Sequence, residues 1–383
     1  MGQDAAIDTQ VAVVGGGVVG LSIAIRLASE GSEVVLVERG DRCGSETSTR
    51  NNQVVHAGFL YPHGSLKARL CRPGRDALLA YAAARGVPHR LAPKLMPVIG
   101  PEQAELLHML ISQGRSAGVG DLSVLDRPAL ERLEPALRAH AAILSPSTAI
   151  IDAAALVNAL EADAENAGVV IVRRTLALSG TVGLPHILQL RSAGEPARLQ
   201  CRWLVNAAGL GAADLARALT GFDPARVPTI HHAKGQFLSH AGTVPFRHLV
   251  VPAEPELLSA GASLTFDIDG RSRFGPDLGF VEGRSYATTA TVPATALDAI
   301  ACWWPDVRPE RLAPEFAGIR PRVTGHGRPP GDWRIDGPGK HGIPGVIHLF
   351  GIDTPGLTAC LAIAEHVAEL MWQDRTQSGS NRR

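Results

Sequence analysis

Apolar positions along the chain follow two periods, and glycine or proline stands where one gives way to the other. Thr9 to Val14 is a short β-branched run that ends in Gly15-Gly16-Gly17. Val18 to Glu30 then repeats at helical spacing, and Glu33 to Glu38 returns to a strand pattern, so the three form a βαβ unit. Helical spacing recurs from Lys67 to Arg85, from Glu102 to Ala117 and from Pro128 to Leu137. Asp152 is placed to cap a helix that runs to about Asn166, and Val169 to Val172 reads as a buried strand. Another strand, Trp203 to Asn206, stops at Ala207-Ala208-Gly209.

From Gln236 the pattern changes to short strands in close succession: Gln236 to Ser239, His248 to Val251, Ala262 to Asp267 and Ser272 to Phe274. Such a series points to an antiparallel sheet in a second domain. Val346 to Phe350 is a strand that runs into the loop Gly351 to Gly356, and Leu357 to Met371 is a strongly apolar helix. The polar tail, Gln373 to Arg383, is expected to fray. The expected fold is an α/β Rossmann-like dinucleotide domain plus an α+β substrate domain with a mainly antiparallel sheet. The first is discontinuous, residues 1–88, 145–222 and 322–383; the second takes residues 89–144 and 223–321.

Composition narrows the classes of function. At 383 residues, 45% hydrophobic and 19% charged, the chain is globular and long enough for two cores. Lys plus Arg and Asp plus Glu balance at 37 each, which gives no global field for nucleic acid. No stretch approaches the ~20 apolar residues that span a bilayer, so no transmembrane segment is expected, while peripheral membrane contact stays open. The opening MGQDAAIDTQ lacks a basic region followed by an apolar core and is not read as a signal peptide. Five scattered cysteines without a C-x-x-C pair argue against zinc or a disulfide framework and for reduced, cytoplasmic thiols.

The N-terminal glycines carry the first chemistry. In Gly15-x-Gly17-x-x-Gly20 the first glycine permits a tight turn, the second lets backbone approach a pyrophosphate, and the third lets helix and strand pack closely. Val18 and Val19 open the helix whose N–H groups face that ligand, and Glu38 lies near the ~20-residue distance at which an acid takes a ribose hydroxyl. Strand-glycine chemistry returns at Val205 to Gly209 and at Gly351, which favours FAD over NAD. A helix beginning at Gly356-Leu357-Thr358 would aim N–H groups at the negative N1/C2 end of a reduced flavin, although a C-terminal helix that only packs is the plainer alternative.

A family resemblance extends this pattern. Ser48 to Tyr61, Gly64 to Cys71, Lys234-Gly235, Phe274 to Asp277, Gly318 to Pro321 and Gly351 to Thr358 resemble the L-2-hydroxyglutarate dehydrogenase/oxidase group. That group lies within the D-amino-acid-oxidase and glycine-oxidase superfamily of flavoproteins, and the likeness runs through nearly the whole chain in order. It implies that Ser48, Thr49, Arg50, Asn51, Asn52 and Gln53 wrap the flavin, with Ala208 and Gly209 lining the dinucleotide. Arg39, beside Glu38, would cover the adenine edge. Asn51 and Asn52 equally suit the capping of a turn.

The resemblance also implies oxidation of a small carboxylate-bearing 2-hydroxy acid by hydride transfer to flavin N5. Amino-acid or secondary-amine oxidation is the alternative within enzymes, and a non-catalytic flavin-binding redox sensor the alternative outside them. Arg320 holds the position that pairs with a substrate carboxylate, where a guanidinium fork fits bidentately. His56 suits a general base, or equally a histidine bonded to backbone. Lys67 and Lys234 are candidates for a second carboxylate or for the flavin, and each equally suits an exposed lysine. Adjacent His231 and His232 would point to opposite faces of a strand, so no metal is expected. Related sequences often carry histidine where this chain has Ser263. If that histidine is the base, L-2-hydroxyglutarate is a poor substrate here unless His56 takes over. The electron acceptor stays open among oxygen, a quinone and a carrier protein.

Overall fold

Strand Ala6–Val14 is central to a parallel sheet because its residues are apolar on both faces: Val11, Ala12 and Val13 are fully buried. In this computed structural model, which describes residues 6–380, it pairs with Glu195–Asn206 on one side and Val34–Val37 on the other. Val346–Phe350 extends the parallel set beyond Asn206, and Val170–Val172 extends it beyond Val34–Val37. Helix Val18–Ala28 turns Val18, Leu21, Ile23, Ala24 and Leu27 inward, and helix Gly356–Ser380 packs against it. The N-terminal half of Glu195–Asn206 belongs to an antiparallel extension with His186–Ser192 and Thr175–Thr181.

These segments form one compact unit, made of the chain up to Thr49, Ala154–His231 and the chain from Pro321. A second unit comprises Arg50–Ala153 and His232–Arg320. Its large sheet is antiparallel through His231–His240, Ser272–Phe274, Leu264–Phe266 and Leu249–Val250; the last then pairs in parallel with Lys94–Val98. Leu312–Arg322 adds to His231–His240 at the side. The core beneath gathers Phe246, Phe274, Trp303 and Trp304, and the Trp303 Nε1–H donates to the Ala262 carbonyl at 3.0 Å. A small three-stranded sheet joins Val54–Val55, Ala149–Ile151 and His89–Leu91.

The architecture is the expected one, a Rossmann-like parallel-sheet unit and a second unit around an antiparallel sheet. The boundaries differ from the expectation. Residues 50–88 and 145–153 cluster with the second unit, because Val54–Val55 pairs with Ala149–Ile151, and Ala57 and Phe59 fill a core with Met96, Val98, Leu107 and Ile143. Residues 223–231 and Pro321 cluster with the first.

Helix Arg127–Leu133 stops four residues short of Leu137, since Glu134 precedes Pro135 and leaves helical geometry at φ −138°. The expected helix from Glu102 begins as a 3₁₀ turn, Pro101–Gln103, before Ala104–Ser116. Helix Gly356–Ser380 continues through most of the tail expected to fray; residues 381–383, and the first five residues of the opening segment read for a leader, lie outside the described residues. Among the described residues no helix is long and apolar enough to cross a membrane.

Candidate functional site

In the first unit three glycine-bearing loops leave the C-terminal ends of three neighbouring parallel strands. In open α/β sheets this is the edge at which ligands bind. Gly15 has φ +111°, and a Cβ there would stand 2.4 Å from the Ala207 carbonyl oxygen, so the first two loops touch through backbone. A Cβ on Gly20 would meet the Gly15 carbonyl at 1.9 Å, whereas one on Gly17 would meet only the Ser48 hydroxyl, at 2.9 Å. The three glycines thus do different work. Gly15 and Gly20 allow the turn and the helix to close on each other, and Gly17 borders space walled by a side chain.

Polar groups from two neighbouring segments brace this turn. The Gly16 and Gly40 N–H groups donate to the two Glu38 oxygens, each at 2.7 Å, and the Val18 N–H donates to Ser48 Oγ at 3.1 Å. Thr49 Oγ1 donates to the Gly44 carbonyl at 2.8 Å, and the exposed Arg39 is ion-paired with Glu46. Val19 sits in the first turn of the helix.

At the second loop, Asn206 is fully buried between strands: its Nδ2 donates to the Ala212 carbonyl at 2.8 Å and meets His348 Nδ1 at 3.0 Å. Burial, and then the neighbouring His341, push His348 down to about 3, so this contact joins neutral groups. The Ala208 N–H donates to Asn206 Oδ1 at 3.3 Å, and Gly209 takes φ +54°. At the third loop Gly351 has φ +72°, and Gly356, Leu357 and the fully buried Thr358 begin the long helix.

In the second unit two clusters gather the remaining candidates. Arg50 to Gln53 form a tight turn: the Gln53 N–H donates to Asn51 Oδ1 at 2.8 Å, the Val54 N–H to Asn52 Oδ1 at 3.4 Å, and Gln53 itself has φ +59°. Both asparagines therefore cap a turn. The Arg50 guanidinium lies 4.4 Å from the Tyr286 ring centre, and the Arg50 carbonyl would be 2.0 Å from a Cβ on Gly318.

His56 follows the turn, half-buried, with its Nδ1 enclosed. Burial, and then the nearby Lys94, push the imidazole down to about 3. The Cys71 thiol donates to the His56 carbonyl at 3.7 Å. Lys67, also buried, lies one turn before Cys71 on the same face of helix Leu66–Arg85.

The second cluster joins segments far apart in sequence. Arg320 donates to the Asp277 carbonyl at 3.1 Å, and a Cβ on Gly235 would stand 2.7 Å from its guanidinium, so glycine there makes room for the fork. The Gln236 N–H donates to Asp277 Oδ1 at 2.6 Å. Burial raises the Asp277 carboxyl, against the pull of that N–H, Arg320 and Lys234. Lys234 itself donates to the Ala287 carbonyl at 2.5 Å. Ser263 is buried on an adjoining segment, its carbonyl accepting from the Gly275 N–H at 2.8 Å.

The residue that sequence reasoning missed is Lys94. It is 2% exposed on a strand whose five residues are all buried, with its ammonium 4.8 Å from the Phe59 ring centre. Its only mark in the sequence is a lysine opening the apolar run Leu95 to Val98.

Comparison with known proteins gives consistent matches. A family model described as FAD dependent oxidoreductase matches residues 10–370. The mitochondrial L-2-hydroxyglutarate dehydrogenase of Arabidopsis thaliana is 33% identical over 396 residues, covering 93% of this chain and 82% of that protein. The Caenorhabditis elegans protein of that name is 29% identical over 306 residues, 76% of this chain and 68% of its own. Among solved structures, dithionite-reduced L-α-glycerophosphate oxidase from Mycoplasma pneumoniae with FAD bound superposes at TM-score 0.84 and 23% identity, over 95% and 94% of the two chains. Glycine oxidase from Geobacillus kaustophilus gives 0.79 at 20% identity, over 96% and 95%. At these identities the two structures speak for the fold.

Proposed function

The chain belongs to the family of FAD-dependent oxidoreductases, and from that premise we propose that it oxidises a small 2-hydroxy acid, L-2-hydroxyglutarate or a close analogue, to the 2-oxo acid. The substrate class follows the relatives named for L-2-hydroxyglutarate. The cradle in the first unit fits the dinucleotide: Gly17 opens onto a hydroxyl rather than backbone, and Glu38, Ser48 and the three glycine loops stand at the binding edge. Gly15, Gly17, Val18, Val19, Gly20, Glu38 and Arg39 would hold the ADP half. Ser48, Thr49, Ala208, Gly209, Gly351, Gly356, Leu357 and Thr358 would hold the rest. FAD supplies a hydride acceptor.

The protein's own part is to bind and orient the acid and to take its hydroxyl proton. Arg320 pairs with one carboxylate, its position fixed by the Asp277 carbonyl and by the missing side chain at Gly235. His56 receives the proton as the C2 hydride departs. The C2–H pair leaves as hydride, the O–H proton passes to the imidazole, and the C2–O bond becomes a carbonyl.

The observation that carries this reading is a half-buried histidine kept neutral by its surroundings. A neutral imidazole can accept a proton, and the arrival of an anionic substrate moves its basicity back towards neutral pH. Ser263 favours a second reading, an amine substrate, whose neutral nitrogen needs less help from a base. Five free thiols, four of them buried, support a reducing compartment, which we take to be the cytoplasm.

Anaerobic mixing with 2-hydroxy acids and with amino acids tests the proposal. L-2-Hydroxyglutarate should bleach the flavin faster than any amino acid; bleaching by amino acids alone would transfer the enzyme to the second reading.

A further inference from the structure

Lys94 carries a charge that the second unit leaves uncompensated. Several carboxylates of the second unit are engaged elsewhere: Glu134 with His248, Asp267 and Glu315 with Arg273, and Asp277 with the Gln236 N–H. Among the described residues none forms an ion pair with Lys94. The strand partners opposite it, Ser145 and Leu249, bring no negative charge, and the Ser145 hydroxyl is already bonded to Thr148 at 2.9 Å. The face of the Phe59 ring lies 4.8 Å from Nζ and offers it an electron-rich surface.

The two titratable groups that face Lys94 are both uncharged at neutral pH. Cys71 is pushed up to about 12 and His56 down to about 3. A buried ammonium without an anionic partner is costly, and proteins keep one where a ligand supplies the missing charge or where chemistry needs it.

We propose that Lys94 receives a carboxylate of the substrate, so that the enzyme selects a dicarboxylic 2-hydroxy acid, with Arg320 holding the other carboxylate. This deepens the hydroxy-acid reading and rests on it for the reaction, but not for the binding. The charge lies beside His56, the proposed base, so whatever presents its hydroxyl to the imidazole is within electrostatic reach of the ammonium. A monocarboxylate held by Arg320 would leave Lys94 without an anionic partner, and that penalty is the source of selectivity.

Glutarate and butyrate, which lack the reacting hydroxyl, separate binding from oxidation. Binding of each to the FAD-loaded protein is measured by calorimetry and by the shift in the flavin spectrum, in the unmodified protein and in Lys94→Met. Methionine keeps the length and apolar stem and removes the buried charge, so the fold is not threatened. Glutarate should bind the unmodified protein tighter than butyrate and lose about ten- to a hundredfold in the variant, with butyrate unchanged.

A second measurement needs no variant. Burial lowers the Lys94 ammonium to about 8, and an anion placed against it raises it again, so glutarate binding at pH 8.5 should take up protons from the buffer. Equal weakening of glutarate and butyrate in Lys94→Met, unchanged glutarate binding there, no binding of glutarate to the unmodified protein, or no proton uptake at pH 8.5 would each overturn the assignment. Lys94-dependent glutarate binding in a protein whose flavin no 2-hydroxy acid reduces would sustain the site and reject the proposed reaction.

Discussion

The glycine turn offers a test in which two substitutions of the same chemistry should fail in different ways. In Gly20→Ala the new methyl group would stand 1.9 Å from the Gly15 carbonyl oxygen, against an ordinary contact of 3.4–4 Å. The helix must therefore move off the strand by more than an ångström, or the Gly15 turn must open. Overpacking of this kind costs about 1–3 kcal/mol, and each kcal/mol lowers Tm by roughly 2–4 °C in domains of this size.

In Gly17→Ala the methyl group meets the Ser48 hydroxyl at 2.9 Å, and a side-chain oxygen can rotate aside. The apoprotein of this variant should unfold within about 2 °C of the unmodified one, yet retain FAD poorly, because the methyl occupies the approach to the pyrophosphate. Differential scanning calorimetry of the two apoproteins, beside flavin content after gel filtration, separates the effects. A Gly17→Ala protein that keeps full FAD occupancy, or a Gly20→Ala apoprotein as stable as the parent, would refute the division of labour drawn from these contacts.

Three further outcomes follow from the second unit and the buried histidine. Arg320→Ala should raise KM for the hydroxy acid about ten- to a hundredfold, and Arg320→Lys less, since lysine keeps the charge without the fork; an unchanged KM would place Arg320 outside the site. His56→Ala should lower kcat about 10²- to 10⁴-fold with FAD content intact, while Ser263→His should not restore it; rapid turnover in His56→Ala would move the base elsewhere. His348 is pushed down to about 3 in the folded protein from an ordinary 6.5. The unfolded chain binds the extra proton below pH 6.5, so stability present above that pH is lost as pH falls towards 3, by up to about 1.4 kcal/mol per pH unit. Urea midpoints at pH 7 and pH 5 should differ less in His348→Gln than in the parent.

How far the sequence discloses this molecule depends on whether a feature is local. Val346–Phe350 and the first βαβ unit follow from periodicity and glycine spacing alone, because their neighbours in space impose nothing that contradicts the pattern. The strand Glu195–Asn206 is visible only from Trp203. Its first residues, Glu195 and Pro196, are exposed and belong to the antiparallel extension, whose partners lie outside any local window.

The segment from Arg50 to Arg85 follows the glycine motif in sequence, which suggests one domain. Its packing is decided by Ala57 and Phe59 meeting residues from Met96 to Ala253. The Arg320 cluster is legible only as a resemblance, since nothing local indicates that Gly235 yields space to a guanidinium 85 positions away. Lys94 was hidden for a simpler reason: a lysine at the edge of an apolar run is ordinarily an exposed strand terminus, and here sheet partners cover both sides.

The order in which the chain is made gives the discontinuous first unit a further significance. Its central strand, Ala6–Val14, leaves the ribosome before its partners: Glu195–Asn206 and the outer strand Val346–Phe350 follow roughly two hundred and well over three hundred residues later. Until then the nascent glycine turn lacks the Ala207 backbone that it packs against, and helix Val18–Ala28 lacks the covering helix Gly356–Ser380. Cofactor capture therefore waits for Val346–Phe350 and the helix that follows it, and chains truncated before Val346 should emerge without flavin whatever the supply of FAD in the cell.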